Sequence, residues 1–199
     1  VKIMGVLNIT PDSFSDGGKF FSIKKAVQRA KQMIKEGANI IDVGGESSGP
    51  GSKFVSEAEE LRRVIPVILS LRALRSNPHQ RLLQPFRFRN DVIISIDTYK
   101  AEVARQAIEA GAQIVNDVTA LRGDSEMAKV IAKSGVKIIL MYSKDSSART
   151  TRKKKRYKDV VATVMKFLDG RIDFALKNGI KRSQIIIDPG MGAFISGIP

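Results

Sequence analysis

The stretch VIISIDTYKAEVARQAIEAGAQIVN at residues 92–116 holds a complete strand–helix–strand unit. A short apolar run at 92–96 is typical of a parallel strand covered on both sides. Thr98 can then open a helix that Gly111 closes, and a second apolar run follows at 113–115. Each apolar run ends in a polar residue, Asp97 after the first and Asn116 after the second. This stretch therefore predicts a β-α-β unit with two polar side chains at the strand ends.

The same alternation extends over the rest of the chain. Four further apolar runs occupy residues 2–7, 39–43, 136–141 and 184–187. Helical patterns lie between them: they open at Ser22, at Ser56 with Glu59 as a capping box, and at Asp124, and the fifth covers residues 157–178. Six strands alternating with five helices predict a parallel sheet.

Two architectures fit a parallel α/β chain, an open doubly wound sheet and a closed barrel. A barrel of eight β/α units normally takes ~250 residues, and this sequence has 199. We expect a single domain over residues 1–199. If the barrel is the right architecture, the sequence covers about six of its units, without the last two strands.

Polar side chains recur where the predicted strands end. Glu46 and Ser48 follow the second strand, and four short amides or carboxylates end four others: Asn8, Asp97, Asn116 and Asp188. Each alone is an ordinary strand end or helix cap. Because all strand ends of a parallel barrel open on one face, the four together predict a site. Its amides and carboxylates suit a flat heterocycle with N–H donors and a carbonyl, and do not suit a hydrolytic triad.

Glycine-rich loops accompany these strand ends. Residues 44–52 read GGESSGPGS, and residues 17–18 are a glycine pair. Exposed glycine backbone near a helix start can hold a phosphate group. Simple turns remain the alternative interpretation of both loops.

The composition excludes several kinds of site. The sequence has no cysteine and one histidine, His79, which excludes disulfides, thiolate metal sites and a zinc site built from several histidines. We see neither a signal peptide nor an apolar run of the ~20 residues that span a membrane, so we expect a cytoplasmic protein without a membrane partner.

The positive charge is concentrated in two stretches. The net charge is +14, and residues 149–158, reading RTTRKKKRYK, contain seven basic residues and no acid. A second basic stretch covers residues 72–89. Neither shows aromatic interleaving or a nucleic-acid motif, so we expect solvated loops away from the pocket floor and no nucleic-acid partner.

Five motifs resemble those of the dihydropteroate synthase family, in its order and spacing. They are residues 5–18 (GVLNITPDSFSDGG), 42–52 (DVGGESSGPGS), 95–98 (SIDT), 115–118 (VNDV) and 188–192 (DPGMG). The first is long enough to be specific, and the resemblance extends over essentially the whole sequence. It implies a parallel (β/α)8 TIM barrel, here incomplete, that binds a pterin.

The resemblance also implies an activity. The family joins 6-hydroxymethyl-7,8-dihydropterin diphosphate to p-aminobenzoate, giving 7,8-dihydropteroate and diphosphate in folate biosynthesis. It acts as a transferase with Mg²⁺, by electrostatic and positional catalysis and without a covalent catalytic residue. A homodimer is implied for the full-length protein.

The family's functional residues map onto seven positions of this sequence. Asp97, Asn116 and Asp188 would bind the pterin ring. Asn8 would help hold Mg²⁺ and the diphosphate, and Ser48 would lie near the diphosphate. Phe14 and Pro50 would lie on mobile loops that close over p-aminobenzoate.

The sequence departs from the family at three points. Gly49 replaces a common arginine, and Tyr142 replaces the usual histidine after the fifth strand. The last two strands are absent, together with a lysine, an arginine and a histidine that bind pterin and diphosphate. We therefore expect this chain to lack full activity.

Two other functions remain as alternatives. A methyltetrahydrofolate methyltransferase of the same barrel family would share the heterocycle-binding aspartates and asparagine. A non-catalytic protein that binds a polyanion through residues 149–158 would explain the charge.

Overall fold

Six parallel strands form one sheet in a computed structural model that describes residues 1–9, 18–76 and 92–195. The strands are β1 (Met4–Asn8), β2 (Ile40–Gly44), β3 (Ile93–Asp97), β4 (Ile114–Asp117), β5 (Lys137–Met141) and β6 (Ile185–Asp188). Their spatial order is the sequence order, β1 to β6. A doubly wound sheet reverses its strand order at a switch point. The sequential order is instead that of successive units of a (β/α)8 barrel, which confirms the predicted fold class.

A helix follows each strand from β1 to β5 in the described part of the chain. The helices are α1 (Gly18–Lys35), α2 (Glu57–Ser76), α3 (Ala101–Ala110), α4 (Met127–Ser134) and α5 (Val160–Lys177). Short 3₁₀ turns at Arg182–Gln184 and Gly192–Phe194 flank β6. None of the described helices is long and apolar enough to cross a membrane.

Three predicted helix starts were wrong. The first helix begins at Gly18, four residues before the cap expected at Ser22. The third begins at Ala101, beyond Thr98, whose hydroxyl accepts the Lys100 amide at 3.2 Å. The fourth begins at Met127, beyond Asp124, whose carboxylate accepts the amides of Ala101 and Glu126, both at 2.9 Å.

The predicted capping box at Ser56 forms in part. The Ser56 hydroxyl accepts the Glu59 amide at 3.3 Å. The Glu59 carboxylate binds Arg62 and Arg63 on the next turn, at 2.6 and 2.8 Å. These arginines lower the pKa of Glu59 to about 2, chiefly through the hydrogen bond from Arg62.

The two faces of the sheet differ in chemistry. Alternate residues of each strand pack against the helices in the main core, including Ile41, Val43, Ile96 and Leu140, all of which are fully buried. Because strand side chains alternate between faces, the other face carries a set of polar residues from the three central strands: Asp42, Ser95, Asp97 and Asn116. The predicted cover on both sides holds for β2 and β3, since Asp42 and Ser95 are buried on this inner face, but the face is polar rather than apolar.

Candidate functional site

Three of the predicted polar residues lie in one row across the inner face. The strand register pairs Asn8 with Gly44, Gly44 with Asp97, and Asp97 with Asn116. The row lies at the carboxyl ends of β1 to β4, where barrels of this kind place their sites. The strand pairing therefore brings Asn8, Asp97 and Asn116 together as the sequence predicts.

Gly44 leaves a gap in this row. A Cβ placed on Gly44 would lie 3.2 Å from Asn8 Oδ1 and 3.5 Å from Asp97 Oδ2. The two side-chain oxygens thus flank one small space, and a larger residue on β2 would fill it.

Asp97 is held in an acidic environment. Burial raises the pKa of Asp97 well above its usual 3.8, and the carboxylates of Asp42 and Glu60 add to the effect. A ligand that donates N–H groups to Asp97 would stabilise its charged form and lower this pKa. Ligand binding and deprotonation of Asp97 are consequently coupled.

A second layer of polar residues lies two positions earlier on the same strands. Asp42 on β2 is 2% exposed, Ser95 on β3 is fully buried, and the two are paired in the register. The Asn116 side-chain amide donates to Asp42 Oδ2 at 2.8 Å. Four buried side-chain oxygens have no hydrogen-bond partner among the described residues, and three of them lie on this face: Asp42 Oδ1, Ser95 Oγ and Asn116 Oδ1.

Such oxygens are costly when they stay unpaired. A buried acceptor without a partner costs about 1–3 kcal/mol, so this face favours a bound molecule or water that donates hydrogens. Neither Asp42 nor Ser95 was singled out as a site residue from the sequence. The signal available was position, because each lies two residues before a member of the row and so shares its face.

Glu46 does not project freely into the site. Its carboxylate accepts from Lys100 Nζ at 2.5 Å and pairs with Arg149 at 3.1 Å. Lys100 also pairs with Glu60, whose side chain is 1% exposed. Burial raises the pKa of Glu60, and the hydrogen bond from Lys100 opposes that shift. This buried ion cluster ties the loop after β2 to α2 and to the start of α3.

The loop after β5 contacts the loop after β2 and lines the cleft beside it. The Thr150 amide donates to the Ser48 carbonyl at 3.0 Å, and Arg149 lines a small cleft with Ser48 and Asp97. The expectation that the whole basic stretch lies away from the pocket was therefore wrong for Arg149. Residues 152–156 are exposed, as predicted for a solvated loop.

Asp145 anchors this loop. Its carboxylate accepts from Lys144 Nζ at 2.7 Å and from the Thr151 amide at 2.8 Å. Burial alone would raise the pKa of Asp145, but these hydrogen bonds and that from the Thr150 hydroxyl lower it below its usual range.

Asp188 lies apart from the row. The row continues from Asn116 through Ile139 to Ile186, and Asp188 is two residues further along β6 on the same face. Its carboxylate accepts the Gly190 amide at 2.8 Å. Of the remaining predicted residues, Pro50 is half-buried in the loop after β2, and Phe14 lies outside the described residues.

Together the sequential parallel sheet and its row of amide and carboxylate groups define a barrel-type α/β protein with a polar site at its strand ends. The model of one family, described as pterin binding enzyme, matches residues 4–199. The chain belongs to this pterin-binding enzyme family.

Individual relatives agree with this assignment. The chain is 46% identical over 190 residues to a dihydropteroate synthase of Clostridium beijerinckii, covering 96% of this chain and 62% of the relative. The chain thus spans about three-fifths of the length of the curated relatives it matches.

Solved structures superpose on nearly the whole chain. A dihydropteroate synthase of Clostridium difficile, determined in the presence of pteroic acid, is 44% identical with a TM-score of 0.79, covering 96% of this chain and 64% of that one. The enzyme of Xanthomonas albilineans with 4-aminobenzoic acid is 39% identical, also with a TM-score of 0.79, covering 96% and 62%.

Proposed function

We propose that this chain contributes the pterin pocket of a dihydropteroate synthase, which condenses 6-hydroxymethyl-7,8-dihydropterin diphosphate with p-aminobenzoate to 7,8-dihydropteroate and diphosphate. The observation that carries the proposal is the row across four strand ends formed by Asn8, Gly44, Asp97 and Asn116. Similarity to synthases solved with pteroic acid and with 4-aminobenzoic acid supports the two substrates. We also propose that residues 1–199 form one domain, since all six strands join one sheet.

Each predicted residue then has a role in binding. Asp97 and Asn116 accept N–H groups of the pterin, and Asp188 binds the same ring from β6. Ser48 lies at the cleft edge, where its hydroxyl would donate to the diphosphate. Pro50 and Phe14 belong to loops that would cover p-aminobenzoate.

Mg²⁺ fits this site only as a partner of the substrate. No group of three or more acidic or histidine side chains in the described ranges could hold a metal ion. Asn8 is exposed and offers one hard oxygen beside Gly44, and Mg²⁺ commonly takes its other ligands from phosphates and water. Asn8 would hold the ion, which would neutralise charge on the departing diphosphate.

The chain's own contribution to the reaction is to bind and orient. The bond from the pterin methylene carbon to the diphosphate oxygen breaks, the arylamine nitrogen takes its place, and that nitrogen loses one proton. Asp97, when ionised, stabilises positive charge that develops on the pterin. Loop closure over the amine would exclude water, which would otherwise compete as the nucleophile.

Calorimetric titration of the 199-residue chain with the pterin diphosphate and Mg²⁺ tests this proposal. We expect binding, and we expect Asp97→Asn to weaken it at least tenfold, because an amide offers fewer acceptor positions than a carboxylate. Asp173→Asn removes an exposed acid on α5 and is the matched control. If folded Asp97→Asn bound the pterin as tightly as the unaltered chain, the proposal would be refuted.

Product formation is a separate measurement. Dihydropteroate release should depend on both Asp97 and Mg²⁺, and we expect the 199-residue chain to work below the rate of the longer relatives. A pterin affinity that is kept while turnover is low would place the deficit in the diphosphate contacts.

A further inference from the structure

Asn116 reaches across a whole strand to find its hydrogen-bond partner. It lies on β4 and its partner Asp42 lies on β2, with β3 between them. Neighbouring strands are about 4.8 Å apart, so the contact crosses roughly twice that distance. It passes over Ser95, the residue on β3 that pairs with Asp42 in the register. A small side chain at this position leaves room for the bridge.

The bridge decides which end of the Asn116 amide remains available. The nitrogen is engaged by Asp42, while Oδ1 has no partner among the described residues. An asparagine offers both donors and an acceptor, and its orientation follows from the groups around it. A ligand that satisfies the remaining group must therefore donate a hydrogen.

We propose that Asp42 is a positioning residue that fixes the Asn116 amide with its oxygen as the free acceptor, so that the site selects a heterocycle presenting an N–H donor there. This inference rests on the proposed pterin function and adds a specificity determinant to it. Burial raises the pKa of Asp42, and the hydrogen bond from the Asn116 amide opposes that rise. Either protonation state leaves Asp42 an oxygen that accepts from the amide.

The test compares two ligands that differ in one group. Pterin carries a 2-amino donor, and pteridin-4(3H)-one carries only hydrogen at the same carbon, with the ring nitrogens unchanged. Calorimetry gives the ratio of the two dissociation constants for each variant. The unaltered chain should prefer pterin, and Asp42→Asn should reduce the preference about tenfold, because either end of the Asn116 amide can then turn toward the ligand.

Ser95→Val changes neither bridging residue but fills the space under the bridge, and it should lower the ratio as Asp42→Asn does. Asp173→Asn, the exposed control on α5, should leave the ratio unchanged. An unchanged ratio in folded Asp42→Asn and Ser95→Val would overturn the proposal.

An exchange variant separates orientation from packing. In Asp42→Asn combined with Asn116→Asp, the donor moves to β2 and the acceptor to β4, so a hydrogen bond again joins the two residues. The residue on β4 keeps a second oxygen as acceptor, and the preference for pterin should return. Failure of the exchange to restore it would show that Asp42 acts only through packing, which also overturns the proposal.

Nuclear magnetic resonance of the unaltered chain covers the case in which the variants do not fold. The side-chain NH₂ signals of Asn116 should move little when pterin binds, since that group faces Asp42. A large shift would show that the NH₂ group faces the ligand and would overturn the proposal.

The same signals distinguish this inference from the proposed function. If a folded chain bound no pterin, the proposed function would fail. The free chain would still report the bridge, because the Asn116 NH₂ protons should exchange slowly with solvent if Asp42 holds them and quickly if it does not.

Discussion

Gly44 keeps open the space between Asn8 and Asp97, and this space has a measurable consequence. A methyl group there would lie 3.2 Å from Asn8 Oδ1, tighter than most real contacts, and 3.5 Å from Asp97. We expect Gly44→Ala to weaken binding of the pterin diphosphate about tenfold, by displacing both side chains. Calorimetry measures the affinity, and thermal unfolding shows that the fold is kept.

Gly49→Ala is the control for this change. Its added methyl group would lie 3.4 Å from Ser47 Oγ, an ordinary contact, in the loop that follows the same strand. We expect its affinity to remain within about twofold of the unaltered chain. Equal affinities for Gly44→Ala and the unaltered chain would mean that the ligand does not use this gap.

Sequence reasoning found the polar residues that end strands, but not the polar residues two positions earlier on the same strands. Asn8, Asp97 and Asn116 stand out because a polar side chain follows an apolar run. Asp42 and Ser95 lie inside such runs, and a run interpreted as buried on both faces hides which side a residue points to. The partner of Asn116 is two strands away, a relation fixed only by the register of the folded sheet.

Among the secondary-structure contacts, the loop after β6 packs tightly against Tyr142, the residue that follows β5. A Cβ on Gly190 would lie 2.0 Å from the Tyr142 carbonyl oxygen, and Gly190 has a φ of +67°. We expect Gly190→Ala to lower the free energy of unfolding by about 3 kcal/mol or more, from left-handed strain and overpacking together. Urea denaturation measures this loss.

Gly192→Ala separates the two causes. Gly192 also has a positive φ, of +79°, but a Cβ there would meet no atom of the described residues within 4 Å. Strain alone should cost about 1–2 kcal/mol. A Gly190→Ala chain no less stable than Gly192→Ala would contradict the close approach of the two loops.

The loops are also linked by charge, through Lys100 and its two buried carboxylates. Lys100→Met leaves Glu46 and Glu60 without that partner, at side-chain exposures of 6% and 1%. We expect a loss of about 3–5 kcal/mol, typical when one member of a buried ion pair is removed. Denaturation of two variants measures the loss in free energy of unfolding: Lys100→Met alone, and Lys100→Met combined with Glu60→Gln. The double variant should recover part of the loss.

The sign of the pH dependence follows from Glu60. Burial already raises the pKa of Glu60, and removing Lys100 removes the hydrogen bond that opposes the shift. An acid whose folded-state pKa lies above its unfolded value destabilises the fold above that pKa, and the penalty disappears as pH falls through it. The defect of Lys100→Met should therefore shrink on mild acidification, and a defect that grew would contradict this account.

The elements themselves were largely predictable, because periodicity and caps are local signals. The six strands lie where the apolar runs predict them, and the five helices lie where the helical patterns predict them, apart from the missed starts. The missed start of α3 depends on a contact distant in the sequence: Asp124, from the loop before α4, accepts the first amide of α3. Such a cap is distant in sequence, so a local capping pattern cannot show it.

For the whole molecule, the net charge of +14 should affect how an anionic substrate arrives. The exposed cations at residues 152–156 follow Arg149, which lines the cleft with Asp97. Positive charge beside a site raises the association rate of an anion, and salt screens the effect. We expect association of the pterin diphosphate to slow several-fold with added salt, and that of the uncharged 6-hydroxymethyl-7,8-dihydropterin to change little.

Two charge-matched variants locate the effect. Lys153→Gln, Lys154→Gln and Arg156→Gln together remove three cations beside the site. Lys133→Gln, Lys137→Gln and Arg182→Gln remove three exposed cations near the opposite, amino-terminal ends of β5 and β6. In stopped-flow measurements at low salt, the first set should slow association of the diphosphate while leaving its dissociation rate nearly unchanged, because steering acts before contact. Equal slowing by both sets would assign the effect to net charge alone, and no slowing by either would show that the basic loop does not guide the substrate.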